Sequence, residues 1–328
     1  MKVMRSIRAA ALFVGSVVGA GFATGREVML FFGADGVGSL LVASLFMAIC
    51  VFAFMEIGAR RALSSHVALV TDTLVSFSSL AVYAAMIAAA EEVLAEASGQ
   101  SGLSLLLAAL VGLLSMGRSD RLAGLNLLAV PFMVAVIVYV GVRSAGRVEG
   151  GFHLLTPLAY GGMNLLFSGA LMVGEGEKST LGERVLASLI SGAVIFLMLL
   201  FMRRCLVEGA DMPFLVAARE EGVGTLAGIA LLLAIVTTMA SCAYLVIGRL
   251  SVWTGDPLLS ASLVTLVGVL LSSFGFAPIV NATYPVVSYL GLAATLFALG
   301  YTLFKGCGFW QKIPFRKPPS TLDSGKKT

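Results

Sequence analysis

Residues 15–27 read GSVVGAGFATGRE, and the fold turns on how this stretch is read. Gly15, Gly19, Gly21 and Gly25 fall within it, in surroundings apolar enough to cross a bilayer. A glycine inside a helix costs roughly 1 kcal/mol relative to alanine, so a segment built only to span lipid is expected to use leucine or alanine. Interrupted helices free backbone N–H and C=O groups at membrane depth, where such groups are tolerated only if they line a cavity or are buried in protein. The stretch therefore predicts a first helix that breaks over Val18 to Gly21. A second reading stays open at this point, because Gly15 with Gly19, and Gly21 with Gly25, form GxxxG pairs that also let two helices approach closely. The string GAGFATG is not a dinucleotide-binding loop: no strand precedes it and its spacing is wrong.

Working outward, the chain has 328 residues, of which 59% are hydrophobic and 12% charged, with a mean hydropathy of +0.99. A helix needs about 20 apolar residues to cross the hydrocarbon layer, and runs of that kind recur along the whole length. The composition excludes a soluble protein and predicts one polytopic domain over 1–310, followed by a basic cytoplasmic tail at 311–328. Ten spans are read at about 8–32, 37–58, 70–95, 102–117, 121–143, 155–175, 183–206, 223–249, 257–276 and 281–305. The signal-like start, basic and then apolar, is read as the first span rather than a cleaved leader.

An even number of spans puts both termini on one side. With the N-terminus inside, Arg26, Arg143, Arg147, Arg203, Arg204 and Arg219 face outward, while the other 16 of the 22 basic residues face inward. That bias predicts cytoplasmic termini, so the net charge of +4 is a topology signal and implies no nucleic acid. The loop EGADMPFLVAAREEG at 208–222 is polar at its ends and apolar in its middle, as an amphipathic surface segment is. Cys50, Cys205, Cys242 and Cys307 lack metal-binding spacing and are expected to pack as small apolar residues. His66 and His153 sit at loop edges and receive no ligand role. No catalytic constellation or ATP-binding motif is visible, which argues against an enzyme or a primary pump.

The two halves are similar in plan. Repeat one, about 8–143, and repeat two, about 155–305, each open on a glycine-rich span: FVGSVVGAGFATG at 13–25 and AYGGMNLLFSGALMVGEG at 159–176. Five spans per half invert the second relative to the first, and interrupted spans at matching positions point to a transporter binding site at the midplane. The fold class expected is an all-α polytopic membrane protein with ten transmembrane helices, a 5+5 inverted repeat and broken helices 1 and 6.

GSVVGAGFATGREVMLFFG at 15–33, with GFAPIVNATYPVVSYLGLA at 275–293, resembles the YkvI-type bacterial membrane proteins of the amino acid–polyamine–organocation superfamily. The resemblance implies the sodium-coupled leucine-transporter fold and a bacterial cytoplasmic-membrane location. It also implies a Na⁺ site, with carbonyls of Gly15 and Val18 on helix 1 and Ala234, Thr237 and Thr238 in LLLAIVTTMASCAY on helix 8. Paired threonines in a membrane helix equally bond back to the preceding turn. Proton-coupled relatives carry a helix 5 lysine; LAGLNLLAVPFMVAVIVYVG has none, and its one strongly polar side chain is Asn126. Substrate contacts implied by the resemblance are Ser16, Val17, Gly19, Ala20 and Gly21 on helix 1, Tyr83 on helix 3, and Gly162, Met163, Asn164, Ser168 and Gly169 on helix 6. Tyr83 reads equally well as a packing tyrosine, and Asn164, an amide within a span, needs a partner.

Glu27, Glu56 and Glu175 lie toward span ends and are gate candidates. Glu56 also suits an i, i+4 pair with Arg60, and Glu27 an outer vestibule or a pair with Arg26 or a loop cation. The function expected is Na⁺-coupled symport of a small amino acid, related zwitterion or amine by alternating access. The alternatives are a membrane sensor of the same fold without transport, and, more remotely, a channel. The partners expected are the small-molecule substrate and the lipid bilayer, with no obligatory protein partner and no cofactor besides Na⁺ as coupling ion.

Overall fold

A computed structural model describes residues 2–60, 65–116, 119–144, 146 and 148–306. The tail 311–328, Cys307, Arg61, Arg118 and Arg147 lie outside the described residues, as do the side chains of His66, Arg121 and Asn126. The protein is an all-α polytopic membrane protein. The first predicted span comprises three helices, α1 (Lys2–Val17), α2 (Ala20–Ala23) and α3 (Arg26–Phe32). Spans two to five are α4 (Val37–Ala59), α5 (Ser65–Ser98), α6 (Leu103–Leu114) and α7 (Ser119–Arg143). Spans six and seven are α8 (Leu155–Gly176) and α9 (Leu181–Arg204), and α10 (Pro213–Glu220) lies in the loop that follows. Spans eight to ten are α11 (Gly224–Thr254), α12 (Pro257–Ser272) and α13 (Phe276–Gly306). Five spans on each side of the 144–154 connection fit the 5+5 plan.

Among the described residues, α4, α9, α11, 71–98 of α5 and 276–300 of α13 are long and apolar enough to cross a bilayer by length and composition. The fourth span is shorter than read: Gly102, left-handed at φ +88°, caps its start as expected, and the helix ends at Leu114. The carboxylate of Glu91 accepts from the amides of Gly102 at 2.7 Å and Ser104 at 3.4 Å, which occupies N–H groups that a helix start leaves free.

The expected break in helix 6 is absent: α8 is continuous from Leu155 to Gly176. Gly161, Gly162, Gly169 and Gly176 serve contact instead of unwinding. A Cβ on Gly162 would strike the backbone of Leu292 in α13, and one on Gly176 the carbonyl of Met55 in α4. Close approach of backbones through small residues is a standard route to helix association in lipid, where apolar side chains gain little by leaving the tails. Two polar side chains of α8 bond back to their own helix, Asn164 Nδ2 donating to the Tyr160 carbonyl at 3.0 Å and Ser168 Oγ to the Asn164 carbonyl at 2.8 Å.

The 208–222 loop also differs from expectation. Its apolar middle, Pro213, Phe214, Leu215, Ala217 and Ala218, is buried against the protein, and the Phe214 amide donates to the Thr24 carbonyl at 3.1 Å. Cys50, Cys205 and Cys242 are free and buried.

Candidate functional site

The interruption of the first helix falls at Val18 and Gly19, where Gly19 is extended (φ −91°, ψ −169°). The Gly19 amide donates to the Val17 carbonyl at 2.9 Å, and the Ala20 amide donates to Thr238 Oγ1 of α11 at 3.2 Å. In an unbroken helix these two N–H groups would serve the carbonyls of Gly15 and Ser16. Their diversion frees both carbonyls at the break. A second interruption follows at Thr24 and Gly25, where Gly25 takes φ +78°; a Cβ there would lie 3.0 Å from the Phe214 amide nitrogen as well as strain the backbone.

The implied ion ligands meet here in part. Thr238 faces the break, with its Oγ1 3.4 Å from where a Gly19 Cβ would sit. Thr237 Oγ1 donates to the Ala234 carbonyl at 3.0 Å. A hydroxyl that ligates a cation uses its lone pairs and must send its proton elsewhere, so this bond suits a ligand and a structural threonine alike. Ser16 Oγ likewise donates back to Phe13 at 2.7 Å, and Val17 and Ala20 are buried. Among the described residues no group of three or more His, Cys, Asp or Glu stands together to hold a metal ion.

Beyond the break the structure gathers a polar cluster that spacing does not reveal. A Cβ on Gly21 would fall 2.6 Å from Glu27 Oε2 and 2.8 Å from the Tyr284 hydroxyl of α13. Tyr160 and Asn164 of α8 face the same carboxyl. Glu27 is only 5% exposed, Tyr160 0% and Asn164 7%. Glu27 Oε1 and the Tyr160 hydroxyl nevertheless complete no hydrogen bond. The Tyr160 ring is held edge-on by Phe31 and Phe32, with centroids 5.4 and 5.0 Å apart.

The remaining candidates disperse. Glu27 does not pair with Arg26, which reaches the Ala210 carbonyl at 3.3 Å and Asp211 at 4.0 Å; burial against α8 and α13 replaces the expected outer vestibule. Tyr83 is turned away from the break: its hydroxyl donates to the Ala108 carbonyl at 3.2 Å, and its ring packs where a Gly268 side chain would stand. Met163 is buried in α8, and Gly169 packs on Phe54. At the end of α4, Glu56 pairs with Arg60 at 2.7 Å and Arg184 at 3.1 Å. Glu175 lines a cavity of about 200 Å³ with Arg5, Arg8, Lys178 and Glu183.

Sequence reasoning missed a clasp between the segments 33–36 and 149–153. His153 Nδ1 lies 2.6 Å from Asp35 Oδ1, the Gly36 amide donates to Gly151 and the Gly151 amide to Ala34, and Arg203 donates to the carbonyls of Gly33, Asp35 and Glu149. These contacts join segments more than 50 residues apart, and nothing local in the sequence signals them.

No protein-family model matches the chain, and no curated protein matches it. Among solved structures, the inward facing conformation of Mhp1 aligns with a TM-score of 0.56 at 15% identity, over 91% of this chain and 75% of that one. The manganese transporter of Eremococcus coleocola, in complex with an aromatic bis-isothiourea compound, aligns with a TM-score of 0.52 at 13% identity, over 92% of this chain and 78% of that one. The chain shares the leucine-transporter-like fold of these membrane transporters.

Proposed function

We propose that the protein is a secondary active transporter that moves a small amino acid, related zwitterion or amine with Na⁺ by alternating access across a bacterial cytoplasmic membrane. One observation carries the reading: the first helix is interrupted at Val18 and Gly19 and resumes tied to Thr238. An interrupted helix at membrane depth exposes fixed dipoles to a solute and carbonyls to a cation. Gly15, Val18, Ala234, Thr237 and Thr238 are the proposed Na⁺ ligands. Ser16, Val17, Gly19, Ala20 and Gly21 from the break, with Asn164 from α8, are the proposed substrate surface. The continuity of α8 gives helix 6 a lesser part than helix 1, its side chains rather than its backbone facing the solute.

The test is a thermal-shift screen of the purified protein against amino acids and amines, with and without Na⁺, followed by uptake of each hit into proteoliposomes. Uptake driven by a Na⁺ gradient is the expected result. A hit that stabilises the protein but is never transported moves the reading to a sensor. Uptake indifferent to Na⁺ removes the ion assignment.

A further inference from the structure

Glu27 is a carboxyl set within the bundle, 5% exposed, with one oxygen lacking any hydrogen bond. Charged groups on the elements packed around it are engaged elsewhere. Arg26, its neighbour on α3, turns to Ala210 and Asp211. Arg203 of α9 serves three carbonyls. Arg219 of α10 pairs with Glu96, Glu220 is exposed, and α2 carries no titratable side chain. From α8 and α13 the titratable groups that face Glu27 are the phenols Tyr160 and Tyr284. Space is short as well, since Oε2 stands 2.6 Å from the point where a Gly21 Cβ would sit. An ionised carboxylate buried without a cation is so costly that such groups neutralise instead. On the Gly21 side there is no room for even a methyl group beside the carboxyl, and a proton needs none.

We propose that Glu27 is a proton-binding site of the transport cycle, neutral while α3 is packed against α8 and α13 and ionised when α3 lifts and outer water reaches it. In the release step the carboxyl O–H bond breaks, the electron pair stays on the carboxylate and the proton passes to water on the outer side. Tyr160 and Tyr284 supply hydroxyls that can donate to the carboxylate once it forms. Gly25 and Gly33 bound α3, so the segment that carries Glu27 is delimited at both ends. The proposal leans on the transporter reading for the motion of α3; Gly21 and Asn164, which flank Glu27, are also proposed substrate contacts, whereas the bound proton itself is read without substrate or Na⁺.

The experiment is infrared spectroscopy of the full-length protein in lipid at neutral pH, without substrate or Na⁺, comparing the parent with Glu27→Gln. The parent-minus-variant difference should contain the C=O stretch of a protonated carboxyl, shifted on exchange into D₂O. Absence of that band, with Glu27→Gln folded, overturns the proposal. Tyr160→Phe and Tyr284→Phe decide the matter should Glu27→Gln fail to fold: loss of a neighbouring hydroxyl should shift the band frequency, and a frequency unmoved in both overturns the assignment. Loss of Na⁺-driven uptake in the parent would sink the Na⁺ reading and leave this band untouched.

Discussion

The amide of Ala20 donates to the hydroxyl of Thr238 at 3.2 Å across 218 residues of sequence. This bond joins the resumed half of the first helix to the middle of α11. It satisfies an N–H that the break would otherwise leave bare in a buried setting, at a cost of about 1–3 kcal/mol if the acceptor were lost.

Replacement of Thr238 by alanine removes that acceptor and, on the proposed ion site, one Na⁺ ligand. The expected loss of about 1–3 kcal/mol converts to a roughly five- to 150-fold rise in the Na⁺ concentration that half-saturates uptake. Thr237→Ala should raise it too. Proteoliposome uptake against Na⁺ at fixed pH checks both; an unchanged Na⁺ dependence in both variants would return the threonines to a purely structural role.

Gly21→Ala and Gly174→Ala should move stability in opposite directions. A methyl group on Gly21 meets Glu27 and Tyr284, and overpacking of this kind costs about 1–3 kcal/mol. Gly174 lies within α8 with nothing inside 4 Å of a built Cβ, so alanine there gains about 0.5–1 kcal/mol of helix stability. Thermal unfolding in a constant detergent reads both, and stabilisation by Gly21→Ala would refute the geometry of the cluster.

Tyr83 and Asn164 are separated by a ligand-binding readout. Tyr83→Phe removes the bond to Ala108 and should lower stability by about 0.5–1.5 kcal/mol with ligand-induced thermal shifts intact. Asn164→Leu should leave a folded protein whose shift with any hit from the screen is abolished. Reversal of the two outcomes would restore Tyr83 as the substrate contact.

Reporter fusions at residues 150 and 328 test orientation. The basic bias of the connecting segments predicts an outside signal at 150, where Gly151 and His153 are clasped to Gly36 and Asp35, and an inside signal at 328. The same side at both positions would be incompatible with five spans between them, and an external C-terminus would overturn the orientation.

The all-α membrane class and the first interruption were legible because each is local. Hydropathy runs mark the spans, and glycine at 15, 19, 21 and 25 marks a segment with weak helix preference. The same local rule misread α8, where Gly161 and Gly162 stand beside Asn164. Glycine lowers helix preference and also lets another backbone come close, and sequence spacing alone does not separate the two uses.

Composition and periodicity by themselves determined an all-α membrane protein with a helix that comes apart near Val18, since burial in lipid demands internally paired backbone and glycine weakens that pairing. Which glycines unwind and which receive a neighbour was decided only by the tertiary structure, in which α13 seats against Gly162 and Thr238 meets the amide of Ala20. The tertiary structure alone also enclosed Glu27 between Gly21, Tyr160 and Tyr284. Tyr160 and Tyr284 come from more than 100 residues along the chain, and the cost of ionising Glu27 depends on such surroundings, which local sequence does not reveal.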